Sequence, residues 1–215
     1  MLHSKYTAIV FDFDGTLVDS NEVKERAFGE LYLPYGDELS NQVMEYHRKH
    51  RGISRFQKFR YFQESLLGKT YSEDDGQKLS KRFSALVLQK VLEAPFFEGV
   101  EAFLDKYFRF IPLFLASATP ESELREIVLR RNIHQYFKGV YGSPKTKREI
   151  LQNIIRDYDL NPQTVLMIGD APSDFEGARL AGTPFLGIQS SGEEDFPPGV
   201  CLVKQFKEVE RQIVA

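Results

Sequence analysis

The chain has one cysteine, Cys201, among 215 residues. It can therefore build neither a disulfide framework nor a cysteine-ligated zinc cluster, and a reducing, cytoplasmic setting fits. No window approaches the roughly 18 apolar residues that span a bilayer, and residues 1–14 lack the long apolar run of a signal peptide. A soluble protein with no membrane partner is expected. Strong charge of one sign is also missing. Lys and Arg number 28 and Asp and Glu 31, for a formal charge of -3, which excludes a globally basic nucleic-acid binder but leaves room for local anion-binding stretches. There is no internal repeat and no low-complexity tract. With 42% hydrophobic and 13% aromatic positions, the chain can bury an ordinary core, as one domain or one domain carrying an insert. The expected partner is a small molecule, and no feature fixes the oligomeric state.

Short apolar runs at residues 8–13, 111–116, 165–169, 184–188 and 200–203 are too brief for typical helices and read as strands buried on both faces. Helical patterns lie between them. Thr119, Pro120 and Glu121 read as an N-cap, a first-turn proline and a dipole-favourable carboxylate, leaving Ser117 on the strand-to-helix turn. Thr146 to Glu149 has capping-box spacing, which puts Lys147 in a first helical turn. A further helix through Phe175 and Ala178 ends at Gly182, a left-handed C-cap. This alternation predicts an α/β fold, Rossmann-like and doubly wound, with a mostly parallel sheet and a site at the carboxyl ends of the strands. After Ser20 come about seventy residues without a strand, where Phe28, Leu31, Phe56, Phe59, Phe62, Leu66, Phe83, Leu86 and Val87 recur at helical spacing. They predict an inserted helical domain over 20–90, with the core formed by 1–19 and 91–215 and hinges at 19–21 and 93–99. Glu193, Glu194 and the Pro197-Pro198 pair read as a surface loop without a role.

Asp12 and Asp14 stand where a buried strand ends and a Gly15 turn begins. Two such charges repel unless a divalent cation lies between them, and hard Mg²⁺ takes oxygen ligands while keeping waters that a phosphate can replace. An Asp-Gly pair alone often just caps a turn; a whole hydrophobic strand running into DFDGT is far more specific. Asp170 and Asp174 repeat the pattern, four residues apart at a second strand end, and could complete a metal site. Ser117, at the end of IPLFLA, can hydrogen-bond a phosphate oxygen together with neighbouring backbone N–H groups such as that of Ala118. Lys147 can neutralise a transferring phosphoryl group as a point charge, and Lys145 is its rival.

Four segments carry a resemblance. DFDGTLVDS, LASAT, SPKTK and GDAPSD are similar, in order, to the four motifs of the haloacid dehalogenase superfamily, and the helical insert resembles the cap of the subgroup containing phosphoglycolate phosphatase and β-phosphoglucomutase. The resemblance implies that Asp12 is a nucleophile forming an aspartyl-phosphate and Asp14 a general acid and base. It further implies that Asp12, the Asp14 carbonyl and Asp170 hold Mg²⁺, with Asp174 orienting the metal shell. The third motif departs from the common Lys-Pro-x-Pro form, which leaves Lys147 and Lys145 both open. Haloacid dehalogenases proper lack the second aspartate, so Asp14 favours phosphoryl chemistry over carbon–halogen cleavage.

Residues 46–60, YHRKHRGISRFQKFR, contain no acidic residue and suit an anionic substrate, a small phosphorylated metabolite. Most of these charges are expected to be solvated around inward-packed Phe56 and Phe59. Arg51-Gly52-Ile53-Ser54-Arg55 resembles the Lys-Gly-x-Ser-Arg turn of the β-phosphoglucomutase cap, which nominates Arg51, Gly52 and Arg55 as substrate contacts. Lys24 stands where that mutase has a histidine, and Arg55 where the phosphonoacetaldehyde hydrolase branch needs a Schiff-base lysine, so simple hydrolysis is preferred. The alternatives are a β-phosphoglucomutase-like phosphosugar mutase and a non-catalytic module that binds a phosphate ligand.

Overall fold

A computed structural model describes residues 4–189 and 196–214; Glu193 and Glu194 lie outside them. Ala8–Phe11 forms β1, buried along its whole length. Next come α1 (Asn21–Tyr32), α2 (Asp37–Lys49), α3 (Arg55–Tyr61) and α4 (Glu73–Glu93), then α5 (Val100–Tyr107), β2 (Leu113–Pro120), α6 (Glu121–Arg130) and β3 (Gly139–Ser143). The chain continues through α7 (Lys147–Asp157), β4 (Val165–Gly169), α8 (Pro172–Ala181), β5 (Phe185–Ile188), β6 (Leu202–Val203) and α9 (Phe206–Ile213).

The strands make one six-stranded sheet in the order β3-β2-β1-β4-β5-β6, parallel throughout. Its two faces bury different residues of the same strand. Ile9 and Phe11 join a cluster with Phe103 of α5 and Phe206 of α9, whereas Ala8 and Val10 join Ile150 and Leu151 of α7 and Ala178 of α8. This period-two alternation, with both sides apolar, is what a doubly covered parallel strand requires. Since β2 and β4 flank β1 on opposite sides, a crevice opens at its carboxyl end.

The local signals explain the helix starts. Thr146 Oγ1 accepts the Glu149 N–H at 3.3 Å and Glu149 returns the bond to the Thr146 N–H at 2.7 Å, closing the expected capping box. Gly182 ends α8 at φ 76°, a left-handed conformation that glycine adopts without strain. The expectation for α6 needs correction. Its N-cap is Pro120 rather than Thr119, and β2 runs through Ser117 to Pro120 with a register shift after Ala116. The Thr119 hydroxyl is turned into the crevice instead of onto the helix. β3, with the sequence GVYGS, was not among the expected strands, because two glycines and a serine in an edge strand carry little apolar signal. β5 and β6 begin one and two residues later than their apolar runs.

Helices α1 to α4 form an inserted unit with an aromatic centre. The Phe28 ring lies 4.3 Å from Phe83, 5.8 Å from Phe59 and 5.9 Å from Phe62. Phe56, Leu66 and Leu86 are half-buried around it. The two connections to the sheet run side by side: the Asp19 N–H donates to Pro95 O at 2.9 Å and the Phe97 N–H to Leu17 O at 3.1 Å. Arg131 Nη1 donates to the carbonyls of Val91, Leu92 and Ala94 at 2.8–2.9 Å, capping the end of α4 from the core side. At the other contact the turn after α2 meets the start of α8, where Ser173 Oγ donates to Arg51 O at 3.1 Å. Gly52, at φ +76°, sits so close that an added Cβ would lie 1.9 Å from Ser173 Oγ.

Candidate active site

At the crevice the strand ends deliver acidic residues that the sheet itself buries. Asp12, Asp170 and Asp174 are 3%, 2% and 0% exposed, and each offers a carboxylate oxygen within 4.8 Å of the others. Asp12 continues β1, its N–H donating to Ile168 O of β4 at 2.8 Å. Asp170 follows β4 and accepts from Asn21 Nδ2 at 2.9 Å and Thr16 Oγ1 at 3.3 Å. Asp174, in the first turn of α8, accepts the Ala171 N–H at 3.1 Å. Glycine makes the packing feasible: a Cβ on Gly15 would lie 2.1 Å from Asp170 Oδ2, and one on Gly169 2.4 Å from Asp174 Oδ2.

Lys147 projects from the start of α7 into this cluster. Its Nζ lies 2.7 Å from Asp12 Oδ1 and 2.6 Å from Asp174 Oδ1, while Lys145 is exposed. Burial opposes the Lys147 charge, but the two carboxylates overcome it and raise its pKa above the ordinary lysine value. Burial raises Asp12 well above the carboxylate range; Lys147 works against this, and Asp174, Asp170 and Asp14 add to it. Asp170 is raised to about 7 by burial and then by Asp174. Buried carboxylates crowded to that degree are short of positive charge, and an all-oxygen donor set of this size fits a hard divalent cation such as Mg²⁺.

Asp14 is oriented differently. Its carboxylate accepts from Ser20 Oγ at 2.7 Å, Thr119 Oγ1 at 3.0 Å and Ser117 Oγ at 3.5 Å, and it pairs with Lys24. Burial pushes Asp14 upward, yet Lys24 and the hydrogen bonds from Lys24, Ser20 and Thr119 outweigh it and leave the carboxyl below its usual value. Ser117 is buried and accepts the Thr119 N–H at 3.1 Å, and half-buried Ala118 lines the crevice beside it. Asp12, Asp14, Ser117, Ala118, Lys147, Asp170 and Asp174 are thus gathered at one end of the sheet.

The helical insert closes the crevice from above, leaving a cavity of about 50 Å³. Arg51, Gly52 and Arg55 all line it. The Arg55 guanidinium is committed elsewhere, however, donating to both Glu123 carboxylate oxygens at 2.9 and 2.7 Å and to Ser84 Oγ at 2.8 Å. Sequence reasoning assigned no site role to Lys24, Thr119, His47 or Lys58, which also line the cavity. A signal for Lys58 existed: Arg55, Lys58, Phe59 and Phe62 follow one helical stripe, so two cations sit in register with buried aromatics.

Comparisons with known proteins identify relatives of the chain. The model of the haloacid dehalogenase-like hydrolase family matches residues 9–188. Similar sequences include a phosphorylated carbohydrates phosphatase from Thermotoga maritima, 23% identical with 81% of each chain covered. A 5'-nucleotidase from Pseudomonas aeruginosa is 26% identical and covers 89% of this chain and 86% of its own length. Among solved structures, β-phosphoglucomutase from Clostridium difficile shares the fold at a TM-score of 0.75 and 19% identity, over 96% of both chains.

Proposed function

The chain belongs to the haloacid dehalogenase-like hydrolase family, and with that as premise we propose a Mg²⁺-dependent hydrolysis of a small phosphate monoester through an aspartyl-phosphate on Asp12. Family membership and the phosphatases among its relatives make it a phosphoric monoester hydrolase. The observation that carries the finer reading is the placement of Asp12 within one cluster with Asp170, Asp174 and Lys147. Mg²⁺, held by Asp12, Asp170 and the Asp14 carbonyl and oriented by Asp174, would neutralise the phosphate and the carboxylates facing it.

In this reading the Asp12 carboxylate attacks phosphorus and the ester oxygen leaves. Asp14 takes up a proton as the negative phosphate arrives beside it, hands that proton to the ester oxygen and later takes one from the water that hydrolyses the acyl-phosphate. Its contact with Lys24, Thr119 and Ser20 supports a positioned carboxyl. Lys147, Ser117 and the backbone N–H of Ala118 surround the phosphoryl oxygens with donors oriented before the reaction, the largest contribution expected in such transfers. Residues 20–90 act as a cap over a cavity of about 50 Å³, small beside the several hundred Å³ of ordinary ligand sites, and movement of such a cap would admit the ester and exclude water around it.

The test is phosphate release from a panel of sugar phosphates, nucleotides and small carboxylated phosphates, with and without Mg²⁺. Metal-dependent release that Asp12→Asn abolishes supports the reading; release that survives the substitution refutes it. A phosphosugar mutase draws support from the Arg51 to Arg55 turn at the cavity, and isomerisation faster than phosphate release would favour it. Commitment of Arg55 to Glu123 weighs toward hydrolysis. Catalytic turnover of any kind dismisses a binding module.

A further inference from the structure

Three of the cations at the crevice and its cavity are answered by carboxylates. Lys147 has Asp12 and Asp174, Lys24 has Asp14, and Arg55 has Glu123. Lys58 has no such partner. It is 2% exposed, its Nζ lies 2.7 Å from His47 Nδ1 and 5.4 Å from the Phe28 ring centroid, and among the described residues no carboxylate forms an ion pair with it. His47 is 5% exposed, and its Nε2 is buried without a hydrogen-bond partner. Both side chains line the cavity that holds Asp12 and Asp14.

A buried amine and a buried imidazole nitrogen left in this state are costly. Their surroundings make the imbalance larger, since Lys24 from α1, Arg48 from α2, Arg51 from the following turn and Arg55 from α3 face them, with Asp14 opposing from the core. We infer that Lys58, positioned by His47, determines specificity by receiving a second anionic group of the substrate, while the ester phosphate faces Asp12. The inference rests on the phosphatase reading of the Asp12 end and adds the other end of the same substrate. Burial, followed by the neighbouring cations, holds Lys58 well below the ordinary lysine range and His47 well below the histidine range. An arriving anion supplies the missing counter-charge and raises the Lys58 titration, so at pH values between its free and bound positions Nζ takes up a proton as the complex forms. A tail ending in a neutral hydroxyl does not bring this about.

Three esters of equal length separate the possibilities: 3-phosphooxypropanoate, 1,3-propanediol bisphosphate and 3-hydroxypropyl phosphate. Their binding is measured calorimetrically on Asp12→Asn, which removes turnover, in two buffers of different ionisation enthalpy. One or both anionic esters should bind at least about tenfold tighter than the neutral one, with proton uptake beyond that of the neutral ester. The anionic ester showing this preference identifies carboxylate or phosphate as the second group. Adding Lys58→Met should bring the preference below about threefold while leaving the neutral ester unchanged. Lys58→Arg, charged at all accessible pH values, should keep the preference and lose the additional proton uptake, and it serves if the Met variant does not fold. Equal binding of all three esters, a preference that survives Lys58→Met, or an equal loss for every ester would overturn the inference. Phosphate release by the unmodified enzyme is read separately. Its absence, alongside a Lys58-dependent preference in binding, would overturn the phosphatase reading and leave this one standing.

Discussion

Lys147 and Lys58 are buried to nearly the same degree, at 5% and 2% exposure, and their chemistry runs in opposite directions. Lys147 enters from the first turn of a sheet-packed helix between two carboxylates, which overcome burial and keep it charged. Lys58 enters from the inserted helices against an imidazole and an aromatic ring, with further cations around it, and burial wins. Solvent exclusion by itself therefore says little about protonation; the partner decides. The sheet end carries its own compensation for chemistry on phosphate. The helical end is left incomplete in a way that a ligand can fill.

The largest effect should come from Asp12→Asn, with loss of phosphate release by at least about a thousandfold, as expected when a nucleophile is removed. Lys147→Met tests the compensated end next. It should lower release by a factor on the order of a hundred to a thousand and destabilise the metal-free protein by about 3–5 kcal/mol by stranding buried carboxylates. Thermal unfolding checks the second part, and added Mg²⁺ should recover much of the loss. If Lys147→Met unfolds at the same temperature as the parent, the two lysines do not differ as described.

Lys58→Met should act in the opposite sense, stabilising the free protein at neutral pH by about 1–3 kcal/mol. The sign follows from linkage: a lysine whose folded pKa lies below its unfolded value, 10.5, costs stability most below the folded pKa. That cost disappears as pH rises toward 10.5, so the advantage of Lys58→Met should shrink over the same range in denaturant titrations. The smallest effect concerns the carboxylates. Asp170, raised to about 7 from 3.8, binds its proton more tightly when folded, so its contribution to metal-free stability is lost as pH climbs from about 4 to about 7. Asp170→Asn should flatten that part of the melting profile.

The sheet end was the more legible of the two in sequence. Strands buried on both faces leave unbroken apolar runs, and each run here that stops at acidic residues marks a point where the backbone turns at the crevice. DFDG and GDAPSD are readable because the chemistry and the strand end coincide within a few residues. The insert resists such reading because its helices bring together residues far apart in sequence. Lys58 meets His47 across two helices, Arg55 reaches Glu123 in the core, and Lys24 meets Asp14 and Thr119. Thr119 shows the limit clearly: its sequence neighbours suit a helix cap, while a lysine and an aspartate from elsewhere claim its hydroxyl.

Trapping the covalent intermediate tests the central claim most directly. A ³²P-labelled ester turned over by this protein is quenched in acid within one turnover, and the protein is digested and mapped. The account predicts hydroxylamine-sensitive label on the peptide containing Asp12, formed only with Mg²⁺ and absent from Asp12→Asn; phosphate release with no label, or label on another residue, would contradict it.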